Sequence, residues 1–128
     1  MPKLYSLDEA NALLPEITGL LEDLQAQAKT LARIQGGFRE VRKQVQTNGH
    51  GGHAEELSSQ AKTAEGRVRD HLARLQELDI ELKDVQTGLI DFYHEREGRI
   101  VYLCWKLGEP SIGYWHDLDA GFAGRQPL

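Results

Sequence analysis

Hydrophobic residues recur every seven positions along two long stretches of this chain, a pattern typical of helices that pack side by side. In the first stretch they form two rows: Ile17, Leu24, Leu31, Phe38 and Val45, with Leu20, Ile34 and Val41. In the second stretch the rows are Ala54, Ala61, Val68, Leu75 and Leu82, with Leu57, Ala64, His71 and Leu78. The rows predict two helices of about 30 residues, each roughly 45 Å long.

The segment between these stretches, at 48–53, reads Asn-Gly-His-Gly-Gly-His. It is rich in glycine and has no apolar anchor, so we predict a turn or a flexible loop. A short loop makes the flanking helices antiparallel neighbours, and the two stretches therefore predict a coiled-coil-like hairpin. The loop histidines, His50 and His53, have no third ligand nearby in the sequence and make a poor metal site.

The chain opens with a helix start signal. Ser6 can accept a hydrogen bond from the backbone three residues later while Glu9 reaches back to the Ser6 amide, which is a capping box. Pro15 has no amide hydrogen and disfavours helical geometry in the residue before it, so a short first helix at 7–13 is expected to kink or break there. Asn11 on this helix is available for capping or for holding another segment.

After the second stretch the pattern changes to short runs of β-branched and aromatic residues, which are typical of strands. Three such runs, at 89–93, 99–106 and 111–116, are separated by turn-like segments. They predict a three-stranded antiparallel meander, with 83–87 as an additional short strand or an approach loop. The tail at 119–128 contains too many glycines for a regular element, but its hydrophobic residues predict that it is ordered against the body.

Together these elements predict an α+β fold in a single domain, 1–128, whose length allows one hydrophobic core. A short kinked N-terminal helix and a long antiparallel helical hairpin pack on a small three-stranded antiparallel β-meander with an ordered C-terminal tail. The expected boundaries in chain order are helices over 7–47, the glycine and histidine loop over 48–53, a helix over 54–82, the small sheet over 83–118 and the tail over 119–128.

Side chains alternate between the two faces of a strand, so an assumed register predicts which residues lie together. If 94–98 and 107–110 are loops, Asp91 lies opposite Val101, and Val101 lies opposite His116. The face toward the helices then carries Ile90, Phe92, Ile100, Tyr102, Cys104 and Trp115. The outer face carries Asp91, Tyr93, Arg99, Val101, Tyr114 and His116.

This outer face is the candidate functional site. His116 could act as a general base oriented by Asp91, with Arg99 binding an anionic group of a substrate. The same three side chains could instead tie the strands together through salt bridges, and His116 with Asp91 could hold a metal ion. Because the assumed register places Cys104 on the opposite face, we predict a small buried hydrophobe there instead of a metal ligand. His71 is predicted to be a packed residue of the helical seam.

Composition limits the possible functions. Fifteen basic and twenty acidic residues give a formal charge of −5, which disfavours general attraction to nucleic acid or to an anionic membrane. No apolar run approaches the ~20 residues of a membrane span and no secretory signal core is visible, so we expect a cytoplasmic protein. The sequence has one cysteine and no motif of the conventional hydrolases, nucleotide-binding proteins or zinc proteases. It leaves open whether the protein has a cofactor and whether it is an enzyme.

Motifs at both ends of the chain carry a family resemblance. They are Y-S-L-D-E-A-N-A-L-L-P at 5–15, K-D-V-Q-T-G-L-I-D-F at 83–92, G-R-I-V-Y-L-C-W-K-L-G-E-P at 98–110, Y-W-H at 114–116 and G-F-A-G-R-Q-P-L at 121–128. In these motifs the sequence resembles the uncharacterised prokaryotic domain-of-unknown-function family 2203. The family pattern includes Asp84, Gly88, Asp91, Gly98, Arg99, Glu109, His116 and Arg125. The resemblance implies no activity, but it favours a role for the outer face.

Further ligand-binding candidates beside Arg99 are Glu109, Arg125 and Asp84. Glycines in the tail could bring Arg125 across the outer face, where it would pair with Asp84 or Asp91. Such a pair would fasten the tail over the candidate site.

Two functions are compatible with these patterns, and the sequence favours the first. Leu21, Ala28 and Leu72 widen the apolar faces of the hairpin beyond a narrow seam, which predicts contact with the sheet or with another copy of the chain. We therefore expect a non-catalytic oligomeric assembly or partner-binding module, with a dimer favoured. The alternative is a small-ligand-binding or metal-binding protein, or an enzyme, that uses the outer face on a small anionic compound.

Overall fold

A computed structural model describes residues 1–48 and 52–128, apart from the side chains at 38 and 41–52. In this part of the chain two helices precede a five-stranded antiparallel sheet, which confirms the α+β class. The helices are α1 (Leu7–Asn48) and α2 (Gly52–Glu77), and the strands are β1 (Ile80–Asp84), β2 (Leu89–Arg96), β3 (Arg99–Lys106), β4 (Tyr114–His116) and β5 (Gln126–Pro127). The strands lie side by side in chain order.

Helix α1 begins with the predicted capping box. The Glu9 amide donates to Ser6 Oγ at 3.1 Å, and the Ser6 amide donates to Glu9 Oε1 at 2.9 Å. These two bonds satisfy backbone donors that the first helical turn leaves without helical partners.

The predicted break at Pro15 is wrong, because α1 continues through this residue. Pro15 removes one helical hydrogen bond, at a cost of about 3 kcal/mol. On either side of it Leu14 and Ile17 are buried in the same core. Burial of one such side chain contributes roughly 2 kcal/mol, so the two together offset the lost bond.

The two helices form the predicted antiparallel hairpin. Glu16 near the start of α1 accepts hydrogen bonds from Arg74 near the end of α2, whereas Ile34 packs against Leu57 near the start of α2. Residues near the start of one helix therefore contact residues near the end of the other, as an antiparallel arrangement requires. Whether the pair supercoils stays a prediction.

The loop prediction for 48–53 is wrong at both ends of the segment. Helix α1 includes Asn48 and α2 begins at Gly52, so helical structure occupies both of its ends. The remaining part of the predicted loop, 49–51 with His50, lies outside the described residues.

Helix α2 ends earlier than predicted. It stops at Glu77, and Leu82 belongs to β1 instead of the helix. Asp79 has a φ of 55°, a left-handed conformation that ends a helix and redirects the chain. The predicted helix ran on into this strand because Leu82 lies seven residues after Leu75, where the heptad row also places a hydrophobic residue.

The sheet has two more strands than the predicted meander. The short strand that the sequence allowed at 83–87 lies earlier, since β1 covers Ile80–Asp84 and a turn follows at 85–88, and β5 contains only two residues of the tail. Strand β3 has the predicted limits, whereas β2 extends three residues beyond its expected end and β4 is shorter than expected. The tail is ordered, as predicted: β5 pairs with β4, and the Leu128 amide donates to the Gly113 carbonyl at 3.0 Å.

The hydrophobic core lies between the hairpin and one face of the sheet. Its buried members include Ile17, Leu21, Leu24, Leu75, Ile90, Phe92, Val101, Leu103, Trp105 and Trp115. The widened apolar face of α1 at Leu21 therefore contacts the sheet, one of the two contacts that the sequence predicted. Within the described residues, neither helix combines the length and hydrophobicity that crossing a membrane requires.

Asn11 fastens the β3–β4 connection to α1. Its Oδ1 accepts a hydrogen bond from the backbone amide of Ile112, a buried residue, at 2.9 Å. Of the two roles open to Asn11 in the sequence, the structure supports the holding of another segment.

Replacing Asn11→Ala should lower the free energy of unfolding by about 2 kcal/mol, because the amide of Ile112 loses its acceptor. Urea unfolding followed by circular dichroism measures the change. Asn11→Asp is the matched control, since a carboxylate oxygen replaces the amide oxygen as the acceptor and most of the stability should be retained. Equal losses in the two variants would contradict this role for the hydrogen bond.

Candidate functional site

The register of the sheet differs from the predicted one because the β2–β3 turn is tighter. Only Glu97 and Gly98 connect the strands, with φ values of 52° and 79°, the left-handed conformations of a two-residue hairpin turn. Asp91 consequently lies opposite Cys104 instead of Val101. An odd shift moves every partner on β3 to the other face of the sheet.

Because of this shift, the predicted face is right for some residues and wrong for others. Ile90, Phe92 and Trp115 face the helices and Asp91, Tyr93, Tyr114 and His116 lie outward, as predicted. The placement of β3 is wrong: Ile100, Tyr102 and Cys104 lie outward, whereas Arg99 and Val101 lie on the side toward the helices.

Three side chains from three strands meet on the outer face, and we call them the Asp91–Cys104–His116 cluster. All three are buried, with 1%, 0% and 2% of their surface exposed. One potential ligand atom from each lies within 4.8 Å of the others. His116 Nε2 is 3.1 Å from both carboxylate oxygens of Asp91. Asp91 and His116 thus meet as the sequence predicted, but Cys104 takes the third position.

The two ring nitrogens of His116 have different roles. Nδ1 lies 2.8 Å from the backbone carbonyl of Asp117, and because a carbonyl can only accept, Nδ1 must carry a proton. Nε2 faces the Asp91 carboxyl group, so these two groups share a proton. Burial raises the pKa of Asp91 above its ordinary value, while His116 and a hydrogen bond from Cys104 oppose that rise.

The Cys104 thiol has low reactivity. Burial and the neighbouring Asp91 carboxyl group raise the pKa of its thiol to about 12. A nucleophilic cysteine needs a thiolate and a neighbouring base that takes its proton. Here the thiol interacts with Asp91, and Asp91 in turn contacts His116. The candidate base, His116, is therefore not the group that contacts the thiol. The geometry does not support a nucleophilic Cys104.

Arg99 lies apart from the cluster. Its guanidinium forms an ion pair with Asp117 and lies 5.6 Å from the centre of the Trp115 ring. The predicted combination of His116, Asp91 and Arg99 is therefore not assembled. Two of its three members meet, and the cation binds a different carboxylate.

Arg125 does reach the outer face, but with a different partner from the predicted ones. Its Nη2 donates to both carboxylate oxygens of Glu109, at 2.8 and 2.9 Å, and not to Asp84 or Asp91. The same nitrogen lies 3.4 Å from the Cys104 carbonyl. Asp84 instead accepts from the Thr87 hydroxyl at 2.7 Å in the β1–β2 turn. Glu109 and Arg125 thus fasten the tail to the β3–β4 connection.

Aromatic side chains border the cluster. The Tyr102 ring centre is 5.4 Å from that of His116 and 4.9 Å from that of Tyr93. The Tyr102 hydroxyl donates to the Tyr93 hydroxyl at 3.3 Å, and Tyr93 donates to Glu81 at 2.9 Å. Lys83 Nζ lies 5.0 Å from the centre of the Tyr102 ring. This aromatic layer helps to shield the cluster on a face that neither of the described helices covers.

A second surface of interest lies on the hairpin. Leu31 of α1 and Val68, Leu72 and Ala73 of α2 line a groove between the helices, and we call these four residues the apolar shoulder. The Leu72 side chain is strongly exposed, at 43%. The sequence singled out Leu72 because it widens the apolar face, and the described chain does not cover it.

Sequence reasoning missed Cys104 as a member of the site. The signal was present in the Glu-Gly pair at 97–98, since a glycine in the second position suits a two-residue hairpin turn. Placing the turn there pairs Asp91 with Cys104 and brings the thiol to the outer face.

The native Cys104 thiol should react with Ellman's reagent at least about 1,000-fold more slowly near pH 8 than the thiol of the unfolded protein, because both thiolate content and access are low. The absorbance of the released thionitrobenzoate measures both rates. The same sample in concentrated guanidinium chloride provides the reference. A native rate within tenfold of that reference would contradict the protected, protonated thiol.

Comparisons with known proteins agree with the motif resemblance. No curated protein and no solved structure matches the chain. The model of one protein family, described as an uncharacterized conserved protein (DUF2203), matches residues 3–128. Because this match spans almost the whole chain, the protein belongs to the DUF2203 family.

Proposed function

We propose that this protein is a non-catalytic assembly module that forms a homodimer through the apolar shoulder of its hairpin. The observation that carries the proposal is the exposure of Leu72, at 43%, in an apolar groove that both helices line. Full burial of a leucine contributes roughly 2 kcal/mol, and Leu72 has 43% of its surface left to bury, so covering it would contribute about 1 kcal/mol. A second copy that covers this groove would recover that energy.

The rim of the groove suits pairing with an identical surface. Glu65 and Arg69 line it on the same helix, beside Leu72. In a twofold dimer the same patch contributes from both copies, so an acidic residue of one copy can lie against a basic residue of the other. One charge of each sign makes such a contact self-complementary.

The chemistry of the outer face supports a non-catalytic role. Cys104 is held as a thiol, and His116 is enclosed by Asp91 and a backbone carbonyl. Groups that are buried and mutually satisfied cannot meet a substrate without rearrangement. The proposal also includes a cytoplasmic location in a prokaryotic cell, with which an unpaired cysteine is compatible.

Binding of a small ligand or a metal ion at the outer face is the second candidate. The two arginines predicted to bind an anionic compound already have carboxylate partners, since Arg99 binds Asp117 and Arg125 binds Glu109. This weakens the anion-binding and enzymatic forms of the hypothesis. Its metal-binding form keeps the support of the close contact between His116 and Asp91.

Leu72→Glu should weaken dimerisation at least tenfold, because a buried carboxylate at the interface costs well over the ~1.4 kcal/mol that corresponds to a tenfold change. Sedimentation equilibrium across a range of protein concentrations measures the dissociation constants of wild type and variant. Leu118→Glu is the matched control: Leu118 is similarly exposed, at 48%, but lies outside the hairpin.

The expected result is a concentration-dependent dimer in the wild type and in Leu118→Glu, and a monomer in Leu72→Glu. A wild-type protein that stays monomeric at several hundred micromolar would overturn the proposal. Equal dimerisation in Leu72→Glu would move the interface away from the apolar shoulder.

A further inference from the structure

The Asp91–Cys104–His116 cluster brings three types of metal ligand together, a carboxylate, a thiol and an imidazole. We propose that it binds a divalent transition-metal ion of the zinc class through Cys104 Sγ, His116 Nε2 and an Asp91 carboxylate oxygen. The inference deepens the metal-binding candidate named above by adding Cys104 and the class of ion, and it does not depend on the dimer.

The spacing of the ligand atoms fits such an ion. The three ligand atoms lie within 4.8 Å of one another, and His116 Nε2 lies 3.1 Å from each Asp91 carboxylate oxygen. With metal–ligand distances of about 2.0 to 2.3 Å, neighbouring ligand atoms of a tetrahedral site are roughly 3.5 Å apart. Small side-chain adjustments therefore bring all three atoms to bonding distance of a central ion.

The orientation of His116 also suits a metal ligand. Its Nδ1 donates to the Asp117 carbonyl at 2.8 Å, which fixes the ring and directs Nε2 toward the other two ligands. Histidines that bind metals characteristically donate their second ring N–H to a carbonyl or carboxylate in this way. The backbone thus holds Nε2 in the position that a metal ligand requires.

Charge selects the class of ion. A thiolate, a carboxylate and a neutral imidazole together carry two negative charges, and the three residues are almost fully buried. A divalent cation gives a neutral site, whereas a monovalent or trivalent ion leaves a net charge where burial makes it costly. Binding displaces the thiol proton and the proton shared by Asp91 and His116, so the charge of the site is conserved.

The donor types narrow the ion further. Magnesium and calcium prefer oxygen ligands, whereas a set of one sulfur, one nitrogen and one oxygen suits zinc and its neighbours in the first transition row. Three protein ligands leave a fourth position for water or another small ligand. Because the ligands come from β2, β3 and β4, the ion would hold the outer face of three strands together.

Titration of reduced, metal-free protein with Co²⁺ tests the site, since cobalt occupies zinc sites and reports on its ligands. We expect one Co²⁺ per chain, with visible bands of tetrahedral cobalt and a near-ultraviolet thiolate-to-metal band. Cys104→Ala should lose the thiolate band and bind at least about 100-fold more weakly, because removal of even an outer-shell partner costs 10- to 100-fold. Cys104→Ser provides a second variant that keeps a polar group in place.

The chain contains a matched control. His71 Nε2 lies 2.7 Å from Asp23 Oδ2 between the helices, a second histidine–aspartate contact. His71→Ala should therefore leave both the Co²⁺ affinity and the thiolate band unchanged. The double variant His50→Ala/His53→Ala removes two histidines, three positions apart in the sequence, that could bind cobalt adventitiously. It should also retain the thiolate band.

Stability provides a readout that is independent of the spectrum. Zn²⁺ should raise the melting temperature of the wild type and of His71→Ala, but not that of Cys104→Ala, whose fold is checked by circular dichroism. A folded cysteine variant that binds Co²⁺ as tightly as the wild type would overturn the site and indicate an adventitious ion only. Wild-type protein that binds neither ion with a dissociation constant below about 100 μM, a binding free energy of about −5.5 kcal/mol, would overturn it as well.

Discussion

The left-handed turn at Glu97 and Gly98 is the constraint on which the sheet depends. By limiting the β2–β3 connection to two residues, it pairs Asp91 with Cys104 and sends Val101 into the core. Because side chains alternate, the same register that gives the helices a continuous hydrophobic surface also gathers polar groups on the opposite face. Core and candidate site are therefore two results of one turn.

The outer face shows how a sheet that is covered by helices on one side can bury polar groups on the other. Tyr93 and Tyr102 border the cluster, and Arg125 joins the tail to Glu109 at its edge. Within this layer the protons of Cys104, Asp91 and His116 are held by mutual contacts. These mutual contacts support the proposed metal site more than acid–base catalysis on a substrate.

The hairpin presents a different problem. Near its sheet-bound end, Leu21 and Leu24 are buried by strands, whereas Leu31 and Leu72 line an open groove. Leu24 and Leu31, which belong to one heptad row, thus have different environments, since only Leu24 lies in the core against the sheet. The proposed dimer concerns the uncovered part, and the proposed metal site concerns the sheet, so the two can be tested separately.

By itself the sequence determined the local features: the capping box of Ser6 and Glu9, the heptad rows of the hairpin, the limits of β3 and the family. These follow from neighbouring residues, because capping, periodicity and strand propensity act over a few positions. Only the tertiary structure decided that α1 continues through Pro15 and that Arg125 pairs with Glu109. Tertiary structure also brought Cys104 to Asp91 and His116, since cross-strand contacts depend on turn geometry and on packing between segments distant in sequence.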